Sequence, residues 1–600
     1  MNLARALASC LAAAFAVAPL TGGAAQLRVS RSFTIPASHK TAASARRAAM
    51  HSAEASPGDI GSANTVTADA PVPRPNESPC VDKLFVNATF AQYAGVPFSY
   101  APPAGCPGPF AKVVFNGDFS VSAGVQFDRT ASIQLGNVPI YFGTTAEPGS
   151  TLSPSWHVER DVTEDAALLA APQVGEADIF NIVNSTYTGV ITGTAYLQFY
   201  PARGPFKAAD TPQIVLPFPG VAGGPQHLNT GTSVLSATYT LPANVDGAYF
   251  EVYAQSQQTD EQYFLCAPND VAGDLFTCGN TAFRETEVSI DGTPAGVAPI
   301  YPWIFTGGLD PYLWFPIPGL QTLQFKPYHV DLTPFAAILS NGKPHTVAIS
   351  VDNADNYFQA IATFYAFQDP GSKHVTGALT RDTLTTNPNV YLKENFAGQP
   401  PSLEGTALVT SHRPYEIDGY VNTSKGKVST AVSSTVDFGN NQIYSNESDT
   451  TGKTVVWQST YANTQVLTQR PGGYELERTF LTFPLTVSLD LELDGTGTGT
   501  QVSAIDQKFV AEHTIVGTNG TYASYESNEV SPTDTLDILD DEYITGNANM
   551  SSFQTYTAYD STGLCYAQPI RAKANVLTAV VNGSCNAGAI SQALKPLFAR

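Results

Sequence analysis

The stretch Asp161-Val-Thr-Glu-Asp-Ala-Ala-Leu-Leu169 recurs 170 residues later as Asp331-Leu-Thr-Pro-Phe-Ala-Ala-Ile-Leu339. In each copy a threonine, Thr163 or Thr333, can cap a short helix, and Pro334 suits the first helical turn. A β-strand pattern follows each copy, and the offset between the copies is the size of one domain. The repeat therefore predicts two similar domains side by side.

Strand-like segments bounded by turn residues run through most of the chain. Tyr196-Leu-Gln-Phe-Tyr200 and Thr346-Val-Ala-Ile-Ser-Val351 have this pattern, and residues 133–140 predict a hairpin with Gly136-Asn137 at its tip. The chain holds 48 glycines and 43 prolines, and long helical periodicity is absent. We expect an all-β protein of the β-sandwich or jelly-roll type.

Composition divides the chain into five segments. Residues 1–25 have an early arginine, an Ala- and Leu-rich core and a small-residue exit, which is typical of a secretory signal peptide. Residues 26–75 are rich in Ala, Ser, Thr and Pro, which predicts a disordered leader or pro-segment. We expect the first β-domain at residues 76–215, the second at 216–368, and a further β-rich C-terminal domain at 369–600.

The cysteines predict disulfide bonds. One of the seven would leave with the signal peptide. The other six fall into local pairs, and the simplest connectivity joins Cys80 to Cys106, Cys266 to Cys278, and Cys565 to Cys585. None lies in a zinc-type spacing, so we expect no metal. Disulfide bonds indicate an oxidising compartment, and we expect a secreted or periplasmic protein.

The charge balance is acidic. The chain has 30 Lys and Arg against 52 Asp and Glu. Such a surface argues against nucleic acid or anionic membranes as partners. Beyond the signal peptide no apolar run approaches the roughly 20 residues that span a bilayer. We expect a soluble monomer.

The usual catalytic motifs are missing from the sequence. There is no Gly-x-Ser-x-Gly, no His-Glu-x-x-His and no phosphate-binding loop, and the nine histidines are scattered. With six cysteines assigned to disulfides, a catalytic thiol is not expected. Carboxylate chemistry without a cofactor remains, and it suits a hydrolase that works in acid.

A series of short blocks spans residues 76 to 365. The most distinctive are Val113-Val-Phe-Asn-Gly-Asp-Phe-Ser120, Val125-Gln-Phe-Asp-Arg129, Gly143-Thr-Thr-Ala-Glu-Pro148, Glu159-Arg-Asp-Val-Thr163 and Ile304-Phe-Thr-Gly-Gly308. In order and spacing these blocks resemble the peptide:N-glycanase A family. A more distant resemblance is to a bacterial peptide:N-glycanase, and it implies two adjacent eight-stranded jelly rolls.

The resemblance implies an amidase. Enzymes of this kind hydrolyse the amide bond between an asparagine side chain and N-acetylglucosamine, with N-glycosylated peptides or proteins as substrates. Two alternatives stay open. One is a glycoside hydrolase with a carboxylate pair, and the other is a jelly-roll protein that binds glycans without cutting them.

The resemblance also implies the catalytic residues. Asp128 is the first candidate and would activate or orient the attacking water. Glu261 is the second and would bind the first sugar or assist proton transfer, with Glu285 and Glu287 as rival candidates. A third, supporting glutamate of the distant relative has no match, because residues 182–184 include no acid.

Four residues are expected to bind substrate. Arg129 would hold the sugar or the carboxylate with its planar fork of donors. Trp314 lies in a Gly- and Pro-rich segment and could line the cleft, and Trp156 and Glu285 are further candidates. The plain alternatives are an ion pair between Asp128 and Arg129, and core packing for the tryptophans.

Overall fold

A computed structural model describes residues 55–219, 224–540, 542–543 and 549–581. Within these ranges the chain forms two four-stranded sheets, then a four- and a five-stranded sheet, then one sheet of fourteen strands. The predicted all-β fold class is confirmed.

The first eight strands form a jelly roll. They are β1 (Cys80–Phe90), β2 (Val96–Tyr100), β3 (Phe110–Val121), β4 (Thr130–Leu135), β5 (Val138–Thr144), β6 (Ser155–Asp161), β7 (Gln173–Ile179) and β8 (Ile191–Pro201). They pair antiparallel in the orders β1-β8-β3-β6 and β2-β7-β4-β5. This order defines a jelly roll, because the chain folds back on itself as two Greek keys.

A second jelly roll follows with the same order. Its strands are β9 (Ile214–Phe218), β10 (Gln226–Leu228), β11 (Leu235–Tyr239), β12 (Val245–Ser256), β13 (Glu285–Ile290), β14 (Thr293–Pro299), β15 (Tyr328–Asp331), β16 (His345–Asp352) and β17 (Phe358–Gln368). From β10 onwards the orders are β10-β17-β12-β15 and β11-β16-β13-β14, and β9 adds to the edge at β17. Two eight-stranded jelly rolls are therefore confirmed by strand order alone.

Both copies of the sequence repeat form the same corner of a jelly roll. Asp161 ends β6 and Asp331 ends β15, which are equivalent strands. Each aspartate Oδ1 accepts a backbone N–H two residues on, from Thr163 at 3.1 Å and Thr333 at 2.8 Å. Each threonine hydroxyl accepts a backbone N–H of the third strand, at 2.9 and 3.3 Å. The prediction that threonine caps a helix is therefore wrong, because it pins the corner to the neighbouring strand.

Helical segments are short throughout the described chain. They are the 3₁₀ helices Pro57–Asp59, Thr163–Ala170, Gln258–Asp260, Tyr263–Leu265 and Thr333–Phe335, and the helix α1 (Ala336–Leu339). In the described ranges, no helix has the length and apolarity needed to cross a membrane.

The C-terminal strands form a single large sheet. They are β18 (Thr376–Asp382), β19 (Val390–Gln399), β20 (Ser402–Thr423), β21 (Gly426–Ser448), β22 (Thr451–Arg470), β23 (Gly473–Thr482), β24 (Leu485–Leu493), β25 (Gly499–Gly517), β26 (Gly520–Val530), β27 (Thr533–Leu539), β28 (Glu542–Tyr543), β29 (Ser551–Asp560), β30 (Cys565–Lys573) and β31 (Val576–Val580). The units change between β8 and β9 and between β17 and β18. The exact domain limits stay a prediction.

One face of the large sheet packs on loops of the second jelly roll. Asn440 of β21 donates to the carbonyl of Phe264 at 2.9 Å, and Gln507 of β25 donates to the carbonyl of Pro302 at 2.7 Å. Val456 of β22 is fully buried on this face. The sheet therefore covers the loops rather than standing apart as an independent module.

The segment before β1 is ordered against both the first jelly roll and the large sheet. Ala68 is fully buried, and its N–H donates to Oε1 of Gln554 at 2.8 Å. Arg74 is buried and forms an ion pair with Glu159 of β6. These contacts bridge two units that are far apart in sequence.

The beginning and the end of the described chain also meet. The N–H of Gly61 donates to the carbonyl of Leu577 at 2.7 Å, and the N–H of Leu577 donates to Ser62 at 3.1 Å. The disorder predicted for residues 26–75 is therefore wrong for residues 55–75. The predicted signal peptide and the rest of the leader lie outside the described residues.

Two of the three predicted disulfide bonds are present. Cys80 is bonded to Cys106, and Cys266 is bonded to Cys278. The third predicted pair includes Cys585, which lies outside the described residues.

A buried arginine joins the large sheet to the second jelly roll, and its removal tests that joint. Nε of Arg413 lies 3.0 Å from Glu285, and its Nη2 lies 2.5 Å from Glu287. The substitution Arg413→Met should cost about 3 kcal/mol of unfolding free energy, because it leaves a buried carboxyl without its counter-charge. Urea unfolding followed by near-UV circular dichroism measures this loss.

The matched control is Arg381→Met. Arg381 forms an exposed ion pair with Glu416, so its loss should cost less than about 1 kcal/mol. Equal losses for the two variants would show that the Arg413 cluster does not hold the units together.

Candidate active site

Asp128 and Glu147 face each other across the open end of the β4–β5 hairpin. The hairpin tip is Gly136-Asn137, with φ of 53° and 66°, which suits a tight two-residue turn. Below the last pair of the ladder, the N–H of Arg129 donates to Oγ1 of Thr145 at 2.9 Å. The N–H of Asp128 donates to Oε2 of Glu147 at 3.1 Å, and the two carboxyl groups are also hydrogen-bonded to each other.

Glu261 occupies the equivalent loop of the second jelly roll. Asp128 follows β3, and Glu261 follows β12, the third strand of its own jelly roll. The neighbouring Asp260 is fully buried and accepts from Nε of Arg284 at 2.7 Å and from the N–H groups of Asp355 and Asn356 at 2.8 and 2.7 Å. This anchoring fixes the loop and leaves Glu261 itself for the cleft.

The two loops meet where the jelly rolls touch. Nε2 of Gln255, near the end of β12, donates to Oγ1 of Thr130 at the start of β4, at 3.2 Å. Asp128 and Glu261 are close enough to influence each other's charge, and both are only partly exposed. The structure therefore brings together the two acids that the sequence predicts to be catalytic, one from each jelly roll.

Three partly exposed carboxyl groups, those of Asp128, Glu147 and Glu261, lie together at this junction, which we call the cleft, and burial opposes their ionisation. Burial and the nearby charge of Glu147 hold the pKa of Asp128 well above its usual range. Burial raises the pKa of Glu147 to about 7, and burial and the charge of Asp128 raise the pKa of Glu261 to about 8. The cleft therefore retains protons at neutral pH.

Arg129 supplies the nearby positive charge and free donors. Its guanidinium lies 5.4 Å from the ring centre of Tyr187 and 5.9 Å from that of Phe127. Among the described residues its Nε and Nη2 have no hydrogen-bond partner, and both nitrogens are buried. Phe127 is 43% exposed, so an apolar ring surface is accessible near the guanidinium. Such a pair suits a sugar, which offers hydroxyl groups and an apolar face.

A second aromatic group lies on the opposite jelly roll. The ring of Tyr357 stacks on His227 with centres 4.2 Å apart. Burial raises the pKa of the Tyr357 hydroxyl, and the charge of Glu261 contributes to this rise. Tyr93 of the first jelly roll is 59% exposed and also influences Tyr357. An aromatic group of the second jelly roll therefore lies near Glu261, as Phe127 and Tyr187 of the first lie near Arg129.

The remaining predicted site residues lie elsewhere. Glu285 and Glu287 contact Arg413 under the large sheet. Trp314 is fully buried, with its indole N–H donating to the carbonyl of Gly308 at 2.7 Å. Trp156 is buried and stacks on Phe119. The substrate-binding roles predicted for Glu285, Trp314 and Trp156 are therefore corrected, because a ligand in the cleft cannot reach these side chains.

Sequence reasoning missed Glu147. It belongs to the block Gly143-Thr-Thr-Ala-Glu-Pro148, which contributes to the family resemblance. The hairpin gives only an approximate signal. Counting outward from Gly136-Asn137 puts Thr145 opposite Asp128, and the irregularity between Ile133 and Gln134 shifts the pairing by one residue. Glu147 therefore lies on the arm opposite Asp128, but register alone does not pair the two residues. Within the described chain, no group of three acid, histidine or cysteine side chains is arranged to hold a metal.

Fold and site together define a class: paired jelly rolls that carry a carboxyl cluster at their junction. Residues 70–367 match the model of the family described as peptide N-acetyl-beta-D-glucosaminyl asparaginase amidase A, and the two jelly rolls are a domain of this family. The chain is 27% identical to the peptide-N4-(N-acetyl-beta-glucosaminyl)asparagine amidase A of Prunus dulcis over 547 residues, which are 87% of this chain and 93% of the relative.

Two solved structures are more distantly similar. PNGF-II is 11% identical with a TM-score of 0.35, over 48% of this chain and 65% of its own. PNGase F, a glycosylasparaginase from Flavobacterium meningosepticum, is 12% identical with a TM-score of 0.34, over 49% of this chain and 96% of its own. The jelly-roll assignment here comes from the strand order.

The raised pKa of Glu261 predicts a pH-dependent stability. The folded state holds this proton up to about pH 8, whereas the ordinary value is 4.5. Folding therefore loses stability as pH rises between these values, because the unfolded chain releases the proton first. Glu261→Gln should remove this loss. The free energy of unfolding of the variant minus that of wild type should therefore be about 1–2 kcal/mol larger at pH 8 than at pH 5.

Urea midpoints at the two pH values measure this difference. Glu404→Gln, which changes an exposed carboxyl of β20, is the control and should show no such pH dependence. The same difference from wild type at both pH values for Glu261→Gln would contradict the raised pKa.

Proposed function

We propose that this chain is an amidase that hydrolyses the amide bond between an asparagine side chain and N-acetylglucosamine. One observation carries the proposal: the partly exposed acids Asp128, Glu147 and Glu261 converge from two jelly rolls beside the guanidinium of Arg129. The family match over residues 70–367 supports this function. The reaction converts the asparagine to aspartate and releases the glycan as a glycosylamine.

The chemistry needs a base for water and an acid for the leaving nitrogen. Asp128 is the base, since it lies at the centre of the cluster. Glu261 keeps its proton to about pH 8 and is the acid that donates to the amide nitrogen as the C–N bond breaks. Arg129 holds the substrate through its guanidinium, whose positive charge lies beside Asp128 and Glu147. The amide is poorly reactive, so accurate placement of sugar and peptide supplies much of the rate.

The substrates are N-glycosylated peptides or proteins. Exposed Phe127 and the neighbouring Tyr187 offer ring surface beside the acids, which fits the apolar face of a sugar. The disulfide bonds suit a secreted or periplasmic protein that works outside reducing compartments. A monomer suffices, because both acids come from one chain.

Replacement of Asp128 tests the function. Asp128→Asn should lower kcat on a defined glycopeptide by about 10³-fold, because the water loses its base. Mass spectrometry of the peptide measures the product, since an amidase leaves aspartate where asparagine stood. Retained glycopeptide binding by the variant would show that the cleft is intact, and Glu404→Gln is the control for an ordinary carboxyl.

The same assay separates the alternatives. A glycoside hydrolase would leave a sugar on the asparagine, and a glycan-binding protein would bind without turnover. Either outcome for the wild-type protein would refute the amidase.

The rate should depend on pH through Glu261. Above about pH 8 the acid loses its proton, so kcat/KM of the wild type should fall as pH rises through that value. Glu261→Gln should be slower and should lack this alkaline limb, because glutamine has no proton to lose. A wild-type profile that stays flat from pH 6 to about 10 would contradict an acid role for Glu261.

A further inference from the structure

Glu147 is held against Asp128 from two directions. On one side it accepts the backbone N–H of Asp128 and shares a hydrogen bond with the Asp128 carboxyl. On the other side lies Gly307, in a turn of the second jelly roll with φ of 92°. A Cβ at Gly307 would lie 2.2 Å from Oε2 of Glu147, so a larger residue there would displace the carboxylate from its present position.

The turn that carries Gly307 is itself fixed. Oγ1 of Thr306 donates to the carbonyl of Thr145 at 2.8 Å, and the indole N–H of Trp314 donates to the carbonyl of Gly308 at 2.7 Å. The buried Trp314 therefore acts at a distance from the cleft, by supporting the turn that confines Glu147. Functional side chains are typically held in place by such a second layer of packed and hydrogen-bonded residues.

We propose that Glu147 is the proton-accepting partner of Asp128, so that Asp128 passes its own proton to Glu147 while it takes one from the attacking water. This inference rests on the proposed amidase function and adds a positioning residue to it. Carboxyl pairs that share a proton in this way are established acid–base devices in other enzymes.

The proton balance closes. An O–H bond of water breaks, its proton goes to Asp128, and the oxygen bonds to the amide carbon. The Asp128 proton moves to Glu147 across their hydrogen bond. The C–N bond breaks as the nitrogen takes the proton of Glu261, which leaves a carboxylic acid and a glycosylamine. Return of one proton from Glu147 to Glu261 through solvent restores the cleft.

The substitutions Glu147→Gln and Glu147→Ala separate a relay from a merely structural role. Glutamine accepts the N–H of Asp128 but cannot take its proton, so kcat should fall about 10²-fold with KM little changed. Alanine should lower kcat at least as far. If glutamine restores the wild-type kcat while alanine does not, Glu147 only holds shape and the relay is wrong.

A second variant reaches Glu147 without changing it. Gly307→Ala should push the carboxylate away from Asp128 and lower kcat about tenfold or more. The matched control is Gly342→Ala, since Gly342 has φ of 78° with open space around its Cβ position, and its kcat should equal that of wild type. Wild-type kcat in Gly307→Ala, with folding checked by circular dichroism, would overturn the confinement of Glu147.

The wild-type control distinguishes failure of the proton relay from failure of the proposed function. If wild type does not convert asparagine to aspartate, the proposed function fails. If wild type is active and Glu147→Gln matches it across the pH range, the relay alone fails.

Discussion

The contact between Thr130 and Gln255 sets the position of the candidate active site. It joins the start of β4 to the end of β12, directly beside the loops that carry Asp128 and Glu261. Because both acids follow the third strand of a jelly roll, packing the two units against each other brings equivalent loops together. The second jelly roll thus contributes Glu261, an acid on the side of the cleft opposite Asp128.

The chemistry of the cleft follows from crowding. Three carboxyl groups lie near one arginine, and the partly buried setting makes full ionisation costly. Protons therefore stay in the cleft at a pH where isolated acids would lose them. The same setting gives one carboxyl the character of a base and another that of an acid, without metal or cofactor in the proposed reaction.

The sequence predicts the two similar β-domains from the internal repeat, because both copies form the same corner of a jelly roll. Asp128 and Glu261 follow only from the family resemblance, and their catalytic roles stay a prediction. Glu147 depends on hairpin register and on Gly307 from the other unit, which neither periodicity nor composition records. Trp314 was predicted to be exposed because its segment is rich in Gly and Pro, but the large sheet covers it: Gln501 of β25 donates to the carbonyl of Leu309.

The segment before β1 is another region that composition alone predicts wrongly. Its contacts also affect how the protein unfolds. Its Pro- and Ala-rich composition indicates disorder, yet Ala68 bonds to Gln554, 486 residues away, and Gly61 bonds to Leu577, which lies still further along the chain. Backbone hydrogen bonds at Leu577 thus join the two ends of the described chain to each other. Loss of the last strands would release the N-terminal segment as well, so damage at one terminus is transmitted to the other and to the first jelly roll between them.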